Sequence, residues 1–308
     1  MKSFKRFFKF IIEAKPKPVK KKNTNSGDVL EKAIIKGVNR WLKDNHLFNR
    51  YYAANVDPIT KKKFSTKYYS DVNIIKKGKK IGIVAIEAKK KKSQFFTITF
   101  GYEYYANDLE KSNLYYGTGP KDVADAILKI LNSDKHKADI HKIFKDSILN
   151  DKSINIGNID CVIPYNIKDS KKSRDITKVL DYNVLKDYVT TTTKKEFFKI
   201  YIPYSSIKDY CIKSWEAKKI PAEYIQVENN LYIIDKNKNV LKLKNIPEYN
   251  IDNIFIGLSL SHEESKKKVT LRCRVKPSDN TKYLDTATSF LGTTKPFPET
   301  DLSNDENL

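Results

Sequence analysis

Two acidic residues stand alone in the most basic stretch of this chain. Between Lys61 and Lys92 the sequence has twelve lysines, and the only acids there are Asp71 and Glu87. Lys89 follows Glu87 by two positions. Carboxylate oxygens are suitable ligands for Mg²⁺, and nearby cations stabilise the negative charge that develops when a phosphodiester is cleaved. These residue types in this setting predict a metal-dependent site that cleaves phosphodiesters.

Both acids adjoin apolar stretches that are typical of buried strands. One stretch follows Asp71, and a second ends at Glu87. Since residues i and i+2 share a face of a strand, we expect Glu87 and Lys89 to point the same way. The neighbouring lysines would lower the pKa of Lys89, which would help its amine to handle the proton of an attacking water.

Hydrophobic periodicity predicts the elements that position these residues. A helix is predicted over residues 28–43, with Leu30, Ile34 and Val38 in its apolar stripe and Glu31 near the edge of that stripe. Strands are predicted over 68–75, 80–89, 96–104, 159–165 and 197–204, helices over 121–132 and 138–149, one hairpin over 224–243 with its turn at 235–239, and another formed by 254–261 and 269–275.

The spacing of the acids resembles a known family. Asp71, fifteen intervening residues and then Glu87-Ala88-Lys89, on adjacent strands after an opening helix, resemble the PD-(D/E)xK nuclease superfamily over about residues 27–105. The resemblance implies an α+β fold, with a restriction-endonuclease-like mixed sheet and flanking helices, followed here by a β-rich C-terminal region.

The same resemblance implies a role for each site residue. Asp71 and Glu87 would hold Mg²⁺ or Mn²⁺, with the Ala88 carbonyl as a further ligand. Lys89 would orient the attacking water, and Glu31 on the opening helix would support the site.

Two features depart from the family pattern. Ser70 stands where the motif often has proline, and the segment from Lys90 to Lys92 predicts a turn into another strand where the family core usually continues into a helix. In an alternative interpretation, residues 80–104 form a β-hairpin, and Glu87 and Lys89 are a solvated cross-strand pair.

The composition indicates a polyanionic partner. The net charge is +22, but only six of the 59 basic residues are arginine, and part of the lysine excess is what an AT-rich genome encodes by default. Lysine binds phosphate as a point charge and does not read bases with a bidentate fork. We therefore expect DNA binding with little sequence preference, through Lys90, Lys91 and Lys92.

Four segments are predicted. They are a basic amphipathic arm and linker (1–25), a nuclease-like α/β domain (26–155), a β-rich C-terminal domain (156–284) and an acidic extended tail (285–308). The arm carries an apolar stripe predicted to dock onto other subunits of a homo- or hetero-oligomeric assembly, and its members are Phe4, Phe7, Phe8, Ile11 and Ile12.

Two functions from different classes fit these observations. One is a Mg²⁺-dependent DNA nuclease of phage, restriction or defence type. The other is a non-catalytic ring or connector protein of a large assembly such as a phage virion, with a nuclease-like fold and a DNA-facing basic surface. Three dispersed cysteines without a CxxC pair predict buried free thiols in a reducing compartment, the cytoplasm, whereas a phage structural protein would be located in the virion. No apolar run is long enough to predict a transmembrane segment.

Replacing Lys90, Lys91 and Lys92 together with alanine should weaken DNA binding and reduce its salt dependence. Each lost phosphate contact is expected to lower the slope of log affinity against log salt by about 1. Fluorescence anisotropy titrations at several salt concentrations measure that slope. An unchanged slope would show that these lysines do not contact DNA.

Overall fold

The structure is a computed structural model that describes most of the chain from residue 26 onward. The described residues are 26–57, 60, 62–65, 68–78, 82–154, 156–157, 159–163, 178–191, 196–263 and 268–302. The predicted arm, including the stripe of Phe4, Phe7, Phe8, Ile11 and Ile12, lies outside the described residues.

Five α-helices and twelve strands form in the described part of the chain, which is a mixed α/β protein. In chain order they are α1 (Ser26–Asp44), β1 (Tyr51–Ala54), β2 (Val72–Lys76), β3 (Gly82–Lys89), β4 (Phe96–Tyr104), β5 (Asn113–Thr118), α2 (Lys121–Leu131), α3 (Asp134–Phe144), β6 (Cys161–Ile163), β7 (Lys178–Val179), α4 (Tyr182–Thr191), β8 (Phe198–Pro203), α5 (Lys208–Glu216), β9 (Ala222–Val227), β10 (Asn230–Ile233), β11 (Asn253–Glu263) and β12 (Lys268–Pro277).

The strands form two mixed sheets. Sheet 1 has the order β1-β2-β3-β9-β10, in which β1, β2 and β3 run as an antiparallel meander and β9 lies parallel to β3. Sheet 2 has the order β7-β6-β4-β12-β11-β8, and β5 pairs with β4. Since both sheets take strands from each side of residue 155, the predicted boundary there does not separate one sheet from the other.

Two hydrophobic cores arise because the strands of sheet 1 alternate their side chains between its faces. On one face, Val84 and Ile86 of β3 pack with helix α1, whose residues Ile34 and Trp41 are fully buried. On the other face, Ala85 joins the larger core that includes the inner face of sheet 2. The edge of this inter-sheet core is where the acidic site lies.

The interpretation of residues 80–104 as a single hairpin is wrong. Strand β3 belongs to sheet 1 and β4 to sheet 2, and the exposed lysine turn carries the chain from one sheet to the other. β3 pairs instead with β2 and β9, and β4 pairs with β5, β6 and β12. The pattern of two strands and a turn was correct, but it did not specify their partners.

The hairpin predicted over 224–243 also turns earlier than expected. Strands β9 and β10 pair through Val227 and Asn230, so Glu228 and Asn229 make the turn, and Glu228 has a φ of 49°. The polar segment 235–239 is a separate loop that follows the hairpin. Its Asp and Asn residues are strong turn formers, which is why the sequence favoured the wrong position.

The predicted extended tail packs on the protein's own body over residues 285–302. Phe290 and Leu302 are fully buried in the same core as α1, and the Trp41 indole N–H donates to the Pro298 carbonyl at 2.7 Å. The expectation of a free arm or disordered end is therefore wrong for these residues, because Phe290 and Leu302, with Leu291 and Phe297 beside them, anchor the segment in this core.

The contact between α1 and this segment requires a glycine. A Cβ added at Gly37 would overlap the carbonyl oxygen of Phe290, whereas one added at Gly27 in the same helix would meet nothing within 4 Å. The backbone of the tail thus approaches α1 more closely than a side chain at position 37 would allow.

Gly37→Ala should therefore destabilise the protein, even though alanine is the better helix former by about 1 kcal/mol. Overpacking of this kind costs about 1–3 kcal/mol. Urea unfolding measures the free energy of unfolding of Gly37→Ala and of Gly27→Ala, and the second variant should be neutral or slightly stabilising. Equal stability of the two variants would contradict the close packing of the tail on α1.

Candidate active site

Asp71, Glu87 and Lys89 lie on one face of sheet 1. The antiparallel register pairs Val72 with Ile86, so Asp71 comes opposite Glu87 one position further along. Because Val72 and Ile86 point into the core beneath α1, the alternation turns Asp71, Glu87 and Lys89 toward sheet 2. This is the arrangement that strand periodicity predicts.

The three side chains are joined by direct contacts. Lys89 Nζ lies 3.3 Å from Asp71 Oδ2 and 2.9 Å from Glu87 Oε2. The Ala88 N–H also donates to Asp71 Oδ2 at 3.0 Å. One ammonium therefore bridges two carboxylates, and the backbone of β3 holds the first of them in place.

A fourth residue of the cluster, Lys218, was not found from the sequence. It lies in the loop between α5 and β9, and its Nζ donates to Glu87 Oε1. Lys218 and Glu87 are 131 positions apart in a chain rich in lysine, so no local pattern distinguishes this lysine from the others. Its neighbours Trp215 and Ile220 are buried, so this part of the chain does face the core.

The cluster is largely removed from solvent. Glu87 is only 2% exposed, and the side chains of Asp71, Lys89 and Lys218 are 14–15% exposed. The interpretation of Glu87 and Lys89 as a solvated pair is therefore wrong. In the low dielectric of the interior these charges interact more strongly than they would at the surface.

Burial and neighbouring charges set the protonation states. Burial raises the pKa of Asp71, Lys89 opposes this, and the negative charges of Glu87 and Glu31 raise it further. Burial would also raise the pKa of Glu87, but Lys89 and Lys218 outweigh it and hold that pKa below its usual range. Asp71 is therefore the carboxyl that takes up a proton first as the pH falls.

The pKa of Lys89 shifts in the direction opposite to the expected one. Burial acts to lower it, but the carboxylates of Glu87 and Asp71 dominate and raise the pKa above its usual range. The other lysines do not control it, because the acids are nearer. Lys89 is thus a permanent cation that can orient a ligand and stabilise negative charge, and it is not a base.

Glu31 lies farther from the centre of the cluster. It projects from α1 and accepts from Asn55 at 3.2 Å, while Lys63 Nζ lies 2.8 Å from its Oε2. Its charge still contributes to the raised pKa of Asp71. The position is compatible with a supporting role for Glu31, but Glu31 does not contact the other site residues directly.

A cleft of about 800 Å³ opens beside the cluster. Sheet 1 supplies one wall, the start of β4 and the β5–α2 loop supply another, and the end of α5 closes the third. Its lining residues include Asp71, Glu87, Lys89, Gln94, Phe95, Thr97, Thr118, Lys121, Trp215 and Lys218. The cleft is large enough to admit part of a polymer as well as a small molecule.

The lysine turn lies beyond the end of β3. Lys90, Lys91 and Lys92 are exposed, and Lys91 Nζ is 3.9 Å from the Glu228 carboxylate. The Tyr283 hydroxyl donates to the Lys91 carbonyl at 2.5 Å, which ties the turn to the body. Three cations thus remain exposed between Lys89 and Gln94, both of which line the cleft.

The donor set is compatible with a hard divalent cation. Asp71 and Glu87 offer carboxylate oxygens that already share one cation, the ammonium of Lys89. Mg²⁺ usually takes one or two carboxylates and completes its shell with water and substrate oxygens. In the described residues there is no group of three or more His, Cys, Asp or Glu side chains able to hold a metal. A metal would therefore depend on these two acids and on the ligand.

The three cysteines take no part in this site. Cys161, Cys211 and Cys273 are buried free thiols, which confirms the prediction from their spacing. Burial raises the pKa of Cys161 to about 12, so its reactive thiolate form is suppressed.

Comparisons with models of known protein families, with curated proteins and with solved structures each found no match to this chain. Among the described helices, none is both long and apolar enough to cross a membrane. Function therefore has to be inferred from the residues and their geometry.

Lys218→Met should destabilise the protein at neutral pH by about 1–3 kcal/mol, because Glu87 loses a charged hydrogen-bond donor. The lowered pKa of Glu87 contributes stability above the unfolded pKa of about 4.3, and that stability is lost as the pH falls toward the folded value. The cost of Lys218→Met should therefore shrink between pH 5 and pH 3.

Urea unfolding at several pH values measures this difference. Lys219→Met is the matched control, because Lys219 is exposed and lies over the rings of Tyr68 and Tyr69 instead of contacting an acid. A cost for Lys218→Met that does not vary with pH would show that Lys218 does not set the pKa of Glu87.

Proposed function

We propose that this protein is a Mg²⁺-dependent DNA nuclease that hydrolyses phosphodiesters in the cleft beside Glu87. The observation that carries the proposal is the buried, lysine-bridged pair of Asp71 and Glu87 at the wall of an open cleft. Buried carboxylates with oppositely shifted pKa values are characteristic of functional sites.

The order of elements supports the proposal. A helix precedes an antiparallel meander, Asp71 comes directly before its second strand and Glu87 lies on its third, and α5 leads into a strand parallel to the third. The PD-(D/E)xK superfamily, which the motif resembles, usually continues from its lysine-bearing strand into a helix. Here β3 is followed by strands of sheet 2, and only after them does helix α5 lead the chain back into sheet 1.

Each side chain has a distinct task in this proposal. Asp71 and Glu87 would hold the metal ion, which would supply Lewis-acid activation of the phosphate and of the attacking water. Lys89 remains protonated, and Lys89 and Lys218 together stabilise the negative charge of the scissile phosphate. Glu87 stays ionised beside them, and the Ala88 N–H fixes Asp71 against β3.

The surface charge supports a polyanionic substrate. The net charge of +22 and the three exposed lysines of the turn favour the approach of DNA to the open edge of the cleft. The alternative role as a ring or connector protein has less support, since residues 285–302 pack on the body instead of reaching toward a neighbour.

The purified protein should nick supercoiled plasmid DNA with Mg²⁺ or Mn²⁺ and should not do so with a chelator. Glu87→Gln keeps the size of the side chain but removes its charge, and it should abolish nicking. Lys89→Met should slow it by about 100-fold or more, because a positioned cation is lost. Gel electrophoresis of the plasmid forms measures both.

Glu110→Gln is the control, because Glu110 is exposed and does not line the cleft. Removing one partner of a buried ion pair destabilises a fold by about 3–5 kcal/mol, so the melting curve of each variant is recorded first. Lys89→Arg keeps the positive charge beside both acids, so it is expected to stay folded and serves as a second variant for the nicking assay. Nicking that survives Glu87→Gln, or wild-type protein inert with both metals, would refute the proposal.

A further inference from the structure

The face of sheet 2 that points away from the inter-sheet core is polar and basic. Strand β12 alternates between the two faces, because successive strand residues point in opposite directions. Its inward side chains include Leu271, Cys273 and Val275, and its outward ones include Arg272, Arg274 and Lys276. We call this second surface the outer face of sheet 2.

Cross-strand pairing extends the outer face over four strands. Arg274 pairs with Thr97 of β4 on one side and with Gly257 of β11 on the other, and Gly257 pairs with Lys199 of β8. Thr97 and Lys199 are exposed. Gly257 between the two cations is buried, and the space beside its Cα is occupied by the ring of Phe255 and the side chain of Glu196.

A second row lies beside the first. Arg272 pairs with Thr99 of β4, and the Thr99 hydroxyl is hydrogen-bonded to that of Thr118 on β5. Thr118 also lines the cleft. The row of hydroxyls therefore runs from the middle of the outer face to the rim of the candidate active site.

Arg272 makes a second connection to the cleft. Its Nη2 lies 3.5 Å from Gln94 Oε1 and 3.4 Å from Thr97 Oγ1, and both of these residues line the cleft. The Nε atoms of Arg272 and Arg274 are buried and have no hydrogen-bond partner within the described residues, so a phosphate would have to be met by the Nη atoms of these guanidinium groups.

We propose that the outer face of sheet 2 binds the phosphodiester backbone of single-stranded DNA and leads that strand into the cleft. The inference rests on the proposed nuclease function and names the path of its substrate. Cations on alternate residues of β12 are about 6.8 Å apart, twice the rise of a strand, a repeat that an extended polynucleotide can follow. Their positive charge complements the phosphates.

An exposed aromatic ring favours a single strand over a duplex. Tyr201 of β8 is 57% exposed and packs edge-on against Phe255, so its ring is held in place but available to a base. Stacking on such a ring requires an unpaired base and is worth about 1–3 kcal/mol for each base. A duplex would offer only its backbone to this face.

Acidic residues near the outer face identify the cations best suited to a test. Glu196 is paired with Arg274, and Asp279 lies 2.9 Å from Lys276 Nζ. Arg272 contacts the neutral Gln94 and Thr97 instead. Changing Arg272 together with the exposed Lys199 therefore removes two charges while leaving both of those ion pairs intact.

The test compares Arg272→Gln/Lys199→Gln with the wild type in DNA binding. The probe is a fluorescein-labelled oligothymidine, and a chelator in the buffer separates binding from cleavage. We expect the dissociation constant to rise about tenfold, and the salt slope to fall by about 1.4 if each cation neutralises one phosphate of a single strand. Lys129→Gln/Lys135→Gln removes two exposed lysines from α2 and α3 and should have little effect on either quantity.

Loss of affinity no greater than in the control variant would overturn the inference, as would an equal loss with a duplex of the same length. Plasmid nicking by the wild type is measured in parallel. If the double variant binds single strands normally while the wild type nicks, the path is wrong and the nuclease stands. If the variant loses binding but the wild type never nicks, the outer face binds DNA and the nuclease is wrong.

Discussion

The body of this molecule depends on keeping one buried carboxylate paired. Taking the Glu87 carboxylate out of water costs several kcal/mol unless cations and hydrogen bonds replace the solvent. Lys89 provides the first cation from the same strand, and Lys218 provides the second from the loop after α5. The pairing therefore holds the loop after α5 against β3, and both partners line the cleft.

Strand and helix periodicity allowed the part of the site formed by Asp71, Glu87 and Lys89 to be predicted. A period of two placed Glu87 and Lys89 on one face, and an apolar stretch beginning beyond Asp71 was enough to expect a neighbouring strand. Helix α1 was predicted over 28–43 and spans Ser26–Asp44, since its apolar stripe is long and regular. These features are local, so the residues that determine them lie close together in the sequence.

Contacts between distant segments could not be predicted in this way. Nothing in the composition marks Lys218 as the lysine that reaches Glu87, and nothing near Phe290 shows that it packs against Trp41. The charge pattern also predicted the wrong direction for the pKa shift of Lys89. Many lysines are close to it in the sequence, but the two acids are nearer in space and determine the shift. Both the contacts and the pKa depend on distances between residues, which a sequence does not contain.

The parallel pairing of β9 with β3 has a consequence for synthesis of the chain. A nascent chain that has emerged only as far as Lys89 already contains both acids of the site. Its β3 edge stays open, however, until the strand that begins at Ala222 leaves the ribosome, and the ammonium of Lys218 appears just before that strand. During translation the second cation and the closing strand therefore emerge almost together. The acidic pair cannot be fully buried, and the cleft cannot be completed, before that point.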